Sequence, residues 1–375
     1  MGIGLFRLML SLTVVTAHTG PIFNFTLGNA AIAVRSFFII SGFYMALILN
    51  EKYRHFGVFI WNRFLRIFPM YFMVLLLTIL ASFFAFKVNN NWGDLIYFVE
   101  NYKLIHPLSL IIILFSNIFI FGRDILLLTA VNLSTGLLGF ANHVKNGISV
   151  SNFLLIPQAW TLGLELTFYL LAPLIIRLKT NWLLMVFLLS FAIKYYVGSL
   201  NIDSVVLGYR FLPIEIEYFI LGVLSYKIYV FVKNKINNQK INFGILILVL
   251  SFYSFVGYLP DLMSMNFNRL EWIYYVILTI SLPFIFLYSK NLVFDRKLGD
   301  LSYPIYISHV LINNIANSLI FTRFASIRSY SAIIVFVLSI ALSVIMLKLI
   351  QNPIEKYRQK RADQELILVK QPASV

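Results

Sequence analysis

Cysteine is absent from the 375 residues, and charge is scarce, with Asp, Glu, Lys and Arg together making up 12%. Without cysteine the chain has no disulfide, no thiolate nucleophile and no thiolate metal site. The five histidines fall in separate segments, so a zinc site is not expected and the metal expectation is none. No Walker-type glycine loop, no His-Glu-x-x-His pair and no Gly-x-Ser-x-Gly elbow occurs, which leaves the chemistries those motifs carry without support. Linkers rich in Pro, Gly or Ser are also missing, so the chain reads as one domain.

What is abundant is apolar surface. Hydrophobic residues make up 60% and the mean hydropathy is +0.85, more than a water-soluble fold of this length could cover. Apolar runs of about 18 residues recur from end to end, the length a helix needs to cross roughly 30 Å of hydrocarbon. A backbone in lipid must satisfy its own hydrogen bonds, and these runs suit helices rather than the roughly 10-residue strands of a barrel. The expected fold class is all-α, a polytopic transmembrane helix bundle of about 10–12 helices. Spans are expected near residues 4–22, 28–50, 64–86, 104–122, 157–178, 181–198, 211–232, 242–260, 270–289, 301–321 and 329–351, with 124–141 ambiguous.

The net charge of +15 sits mostly in short loops, 52–66, 227–240, 290–297 and 356–361. Basic loops face the cytoplasm, so the charge reads as a topology signal and contact with the anionic lipid bilayer, not as nucleic-acid binding. Both termini are expected in the cytoplasm, and the later loops reach that side only if residues 104–156 cross an even number of times. Residues 1–351 then form the transmembrane domain and 352–375 a polar cytoplasmic tail. Arg7 interrupts the first apolar run, so that run is expected to be a retained span and not a signal peptide.

Ionisable groups inside spans are costly and mark function unless they pair. They are Arg7, His18, Arg35, Glu165, Lys194, Glu215, Glu217 and His309. Eleven residues separate Arg7 from His18, three helical turns plus about 20°, so the two share one face about 16 Å apart in depth. An arginine near the surface and an imidazole deeper in suit a ligand with phosphates at one end and a reactive carbonyl at the other. His18 is suited to general-base work, or to packing against a neighbouring helix. Arg63 and Arg66, three apart at the mouth of a span, can fork onto a phosphate or anchor the span at the headgroups. Glu165 has Tyr169 one turn on. It could orient a histidine, neutralise an arginine, bind a sugar hydroxyl or form an interhelical ion pair. Ser302, Tyr306 and His309 open a late span, where they could hold a polar acceptor or brace the core.

Taken in order, these motifs resemble the membrane-bound acyltransferase 3 family over nearly the whole chain. The likeness rests on Arg7 and His18, on Phe37-Phe38-Ile39-Ile40-Ser41-Gly42-Phe43, and on Arg63/Arg66 before Pro69. It continues with Trp160-Thr161-Leu162 through Glu165 and Phe168-Tyr169, Ser302-Tyr303 through His309, and Asn352-Pro353-Ile354-Glu355. Gly4 stands where the family usually has Asp, and Thr161 where it usually has Ser.

The resemblance implies a transmembrane O-acyltransferase that uses cytoplasmic acyl-CoA, acetyl-CoA in the simplest case, as donor substrate, with no tightly bound cofactor. The acceptor would be a glycan or lipid-linked sugar reached from the far side of a bacterial inner membrane. His18 and Glu165 would be the catalytic pair and Arg7, Arg63 and Arg66 the donor-binding set. Arg35, Tyr169, Ser302, Tyr306 and His309 would form the substrate-binding set, and a homo-oligomer is left open. Two competing readings are a proton-coupled transporter relaying through Glu165, His18 and His309, and a non-catalytic subunit of a glycan export assembly.

Overall fold

The computed structural model describes residues 2–22, 28–53, 55–144, 146–199, 204–235, 238–258 and 267–360. Its long helices are α1 (Ile3–Thr19), α2 (Ala30–Glu51), α3 (Phe56–Asn89), α7 (Trp160–Ile175), α8 (Thr180–Ser199), α10 (Leu212–Val232), α11 (Gln239–Phe255), α12 (Phe267–Ser289), α13 (Val293–Ile315) and α14 (Ser331–Met346). The described residues also form the short helices α4 (Ile96–Asn101), α5 (Pro107–Phe119), α6 (Arg123–Leu126) and α9 (Ser204–Tyr209). Among the described residues, five helices are long and apolar enough to cross a membrane by length and composition alone, the last running from Ser326 to Lys360. The chain is the expected all-α transmembrane bundle. The final two residues of the expected 242–260 span, and residues 361–375 of the expected tail, lie outside the described residues.

Helix boundaries follow local chemistry. Asn29 caps α2 by accepting from the amides of Ala31 (2.8 Å) and Ile32 (3.3 Å), satisfying two of the four free donors at that terminus. Asn90 ends α3 in the left-handed conformation, which Asn tolerates better than most residues. Pairs of glycines set the tightest crossings. A Cβ on Gly42 of α2 would collide with the Phe219 carbonyl of α10, and one on Gly222 of α10 with the Ile39 carbonyl of α2. Small residues let membrane helices approach closely where lipid offers no hydrophobic drive. Gly4 and Gly299 do the same for α1 and α13.

Residues 104–141 depart from the expected pattern. In place of a full span, α5 has 13 residues, about 20 Å of helix, and stops at Ile120 in a left-handed conformation. The ambiguous segment 124–141 is not a membrane helix. It contributes β1 (Thr129–Asn132) and β2 (Leu138–Phe140), which join β3 (Gly147–Ser149) in an antiparallel sheet of order β2-β1-β3. Ala130 of the central strand stands opposite Gly139 and Ser149.

Contacts sort the helix termini into two ends. The amides of Ile3 and Gly4 reach Ser289 Oγ (3.3 Å) and Asp295 Oδ2 (2.8 Å), joining the start of α1 to the end of α12 and the start of α13. Lys233 lies 3.9 Å from Glu51, and Lys227 donates to the Leu178 carbonyl (3.2 Å), which brings the ends of α2, α7 and α10 together. At the opposite end Ser331 donates to the Thr19 carbonyl (2.8 Å), and Asn314 donates to Asp94 (3.0 Å) on the turn that follows α3.

Candidate active site

At the first of these ends, α1, α2, α3, α7 and α13 enclose a cavity of about 500 Å³. Arg7, Arg63 and Arg66 line it together with Ser41, Tyr44, Glu165, Tyr169, Ser302, Tyr303 and Tyr306. Motifs up to 300 residues apart in sequence thus converge on one chamber. Among the described residues, none of the three arginines makes a hydrogen bond or ion pair. Arg63 is 7% exposed, lies 5.9 Å over the ring of Tyr169, and has a buried Nε with no partner. A guanidinium withdrawn from water with open donors is costly unless a ligand supplies acceptors.

Three other buried cations are spent internally. Arg35 gives Nη1 to Glu271 (2.6 Å) and Nη2 to Glu215 (3.1 Å), and lies over Tyr209 and Tyr218. Lys194 pairs with Glu217 at 2.7 Å. Arg123, fully buried, donates to the carbonyls of Ser116 (3.1 Å) and Ile156 (2.8 Å) and to the Tyr71 hydroxyl (2.8 Å). Arg35 therefore lies outside this cavity, with its Nε and both Nη atoms directed at carboxylates.

Glu165 sits in the arginine chamber. Its Oε1 accepts from Ser41 Oγ (2.9 Å) and from the Tyr169 hydroxyl, so it touches neither histidine. Ser302 lines the same wall, its hydroxyl donating to the Gly299 carbonyl (2.7 Å). Asp295, at the start of α13, accepts from the amides of Gly2, Gly4 and Leu5 (3.1 Å for the last). An acidic group there complements the positive end of the α1 dipole.

The chamber ends at Thr161 and Tyr306, whose hydroxyls bond each other at 2.8 Å, with Tyr306 also donating to the Gln158 carbonyl (3.0 Å). One turn beyond is His309, fully buried, and against it His18, exposed near the end of α1. Neither histidine lines the chamber. Their rings lie 4.9 Å apart, with His309 Nε2 3.4 Å from His18 Nδ1. His18 Nδ1 is also 2.9 Å from the Val14 carbonyl, and His309 Nδ1 is 2.6 Å from the Tyr306 carbonyl. The Arg7–His18 face thus runs from a cationic chamber to a histidine pair, with the Tyr306 layer between them. No group of acidic, histidine or cysteine side chains among the described residues has the makings of a metal site.

Sequence reasoning missed Tyr44, Thr161, Tyr303 and Asp295 as site residues, and Arg123 and Glu271 as buried charges. The membrane's penalty on buried charge could have flagged Arg123 and Glu271; the tyrosines and the threonine carry no such signal in a chain with 21 tyrosines.

The family model described as an acyltransferase domain matches residues 2–348. An uncharacterized protein of Aquifex aeolicus (strain VF5) is 29% identical over 211 residues, covering 54% of this chain and 89% of that relative. No solved structure matches the chain.

Proposed function

This chain belongs to the acyltransferase domain family, and we propose that it moves an acyl group, acetyl in the simplest case, from cytoplasmic acyl-CoA to a hydroxyl of an exported or cell-surface glycan across a bacterial inner membrane. The observation that carries this reading is that three arginines line one chamber without a hydrogen bond or ion pair, whereas Arg35, Lys194 and Arg123 elsewhere in the bundle are paired or hydrogen-bonded. Coenzyme A presents phosphates that three guanidiniums would hold by charge-assisted forks. The basic loops near Lys233, Lys290 and Arg296 lie at the same end of the bundle, and the positive-inside tendency supports a cytoplasmic chamber.

The thioester then points along α1 past Tyr306 toward His18. A sugar hydroxyl arriving from the other end attacks the thioester carbonyl. A carbon–oxygen bond forms, the carbon–sulfur bond breaks, and sulfur leaves with the electron pair as the coenzyme A thiolate. His18 takes the hydroxyl proton as the new bond forms and releases it to water afterwards. Glu165, held by Ser41 and Tyr169, places negative charge among the arginines and keeps their side chains gathered.

His18→Ala tests the reading. The variant is expected to express and insert normally while the cell's glycan loses its acyl mass. Full acylation by this variant would remove His18 from the chemistry.

A further inference from the structure

We propose that His309 is a positioning residue that fixes the tautomer of His18, an inference resting on the reading of His18 as the base. Carbonyl oxygens only accept hydrogen bonds. The Val14 carbonyl, 2.9 Å from His18 Nδ1, and the Tyr306 carbonyl, 2.6 Å from His309 Nδ1, therefore each require a proton on the ring nitrogen they face. With its proton on Nδ1, neutral His309 presents a lone pair at Nε2, and that atom lies 3.4 Å from His18 Nδ1. The Nδ1 proton of His18 is thus shared between two acceptors, one on its own helix and one from α13. The remaining nitrogen of His18, Nε2, is left as the basic one. His18 is exposed, so a hydroxyl can approach that nitrogen without displacing a protein partner.

The same arrangement serves the moment of proton transfer. When Nε2 takes the hydroxyl proton, the ring becomes a cation whose Nδ1–H already faces two acceptors, so the charge is stabilised without rearrangement. In many hydrolases a carboxylate orients the histidine in this way; here a second imidazole occupies the orienting place. Glu165 does not hold it, being bonded to Ser41 and Tyr169. His309 is fully buried with both ring nitrogens engaged, Nδ1 on the Tyr306 carbonyl and Nε2 facing His18, which separates its role from substrate binding. Its own orientation is set by the bond to the Tyr306 carbonyl one turn back.

Two conservative variants separate positioning from packing. His309→Asn keeps an amide donor near the Nδ1 position, able to reach the Tyr306 carbonyl, but has nothing at the Nε2 position. His309→Gln puts an amide oxygen close to the Nε2 position and preserves an acceptor for His18. The full-length protein in native membranes would be assayed for coenzyme A release from acetyl-CoA, with thermal melting in detergent reporting the fold. His309→Asn is expected to lower kcat about 100-fold with KM for acetyl-CoA unchanged, the upper end of what losing the hydrogen-bond partner of a metal-bound histidine costs. His309→Gln is expected to stay within about tenfold of wild type. Equal loss in the two variants, or full activity in His309→Asn, would overturn the proposal. His18→Ala, run in parallel, distinguishes the failures. If that variant is active the base assignment falls and this inference with it; if it is dead while His309→Asn is fully active, only the positioning role falls.

Discussion

Arg63 and Arg35 are both buried guanidiniums under 10% exposed, yet opposite effects follow from removing them. Arg35 is enclosed by Glu215 and Glu271, and Arg35→Leu leaves Glu271 without its cation and Glu215 with only Lys194 at 3.7 Å, a loss of roughly 3–5 kcal/mol. That variant is expected to melt early or fail to accumulate, as read by fluorescence-detected chromatography in detergent. Arg63 lines the chamber and its Nε has no partner. Arg63→Lys is expected to fold normally and raise KM for acyl-CoA about tenfold with a small change in kcat, because a point charge cannot replace a fork. At this scale the sequence was informative about types and silent about partners. The 11-residue spacing put Arg7 and His18 on one face, but which carboxylate or imidazole met which cation depended on helices distant in sequence. Glu165 took one of its several expected surroundings, among the arginines, while the contact of His309 with His18 had no signal in the sequence.

At the scale of elements, apolar run length located most helices within a few residues, because a membrane span needs a minimum length and little else. It failed between α3 and α7. There Leu108, Ile111 and Phe115 of α5 are exposed, and a lipid-facing half-length helix carries the same hydropathy as a full one. The Gly42–Gly222 and Gly4–Gly299 crossings were likewise invisible before packing was known. Gly42→Ala is expected to destabilise the bundle by roughly 1–3 kcal/mol, since the added methyl meets backbone and not a flexible side chain; thermal melting in detergent reads it. Tyr306, between chamber and histidines, makes a separate prediction. Tyr306→Trp is expected to leave the affinity for acetyl-CoA unchanged by calorimetry while cutting kcat at least tenfold, because the thioester must pass this layer.

The turn after α3 adds a pH effect. Burial raises the Asp94 carboxyl above its ordinary value, with the Asn314 amide pulling the other way. A folded value above the unfolded one gives stability that is fully present below the unfolded value and lost as pH rises through the folded one. Asp94→Asn is therefore expected to flatten the fall in melting temperature as pH is raised from strongly acidic toward neutral.

For the whole molecule, composition fixed the solvent and the class of fold, and the parity argument from basic loops required an even number of crossings between residues 104 and 156. In the structure one short helix and a small sheet stand where one span, 104–122, and an ambiguous segment, 124–141, were expected, an arrangement hydropathy could not supply. Two ends result, a cationic chamber at one and a histidine pair at the other, and the account holds that an acyl group passes between them. Sealed proteoliposomes with the basic loops outward test this most directly, with acetyl-CoA supplied outside and the glycan acceptor trapped inside. The account predicts acylated glycan within and free coenzyme A without, both abolished by His18→Ala. Acylation only when donor and acceptor share the same side would contradict it.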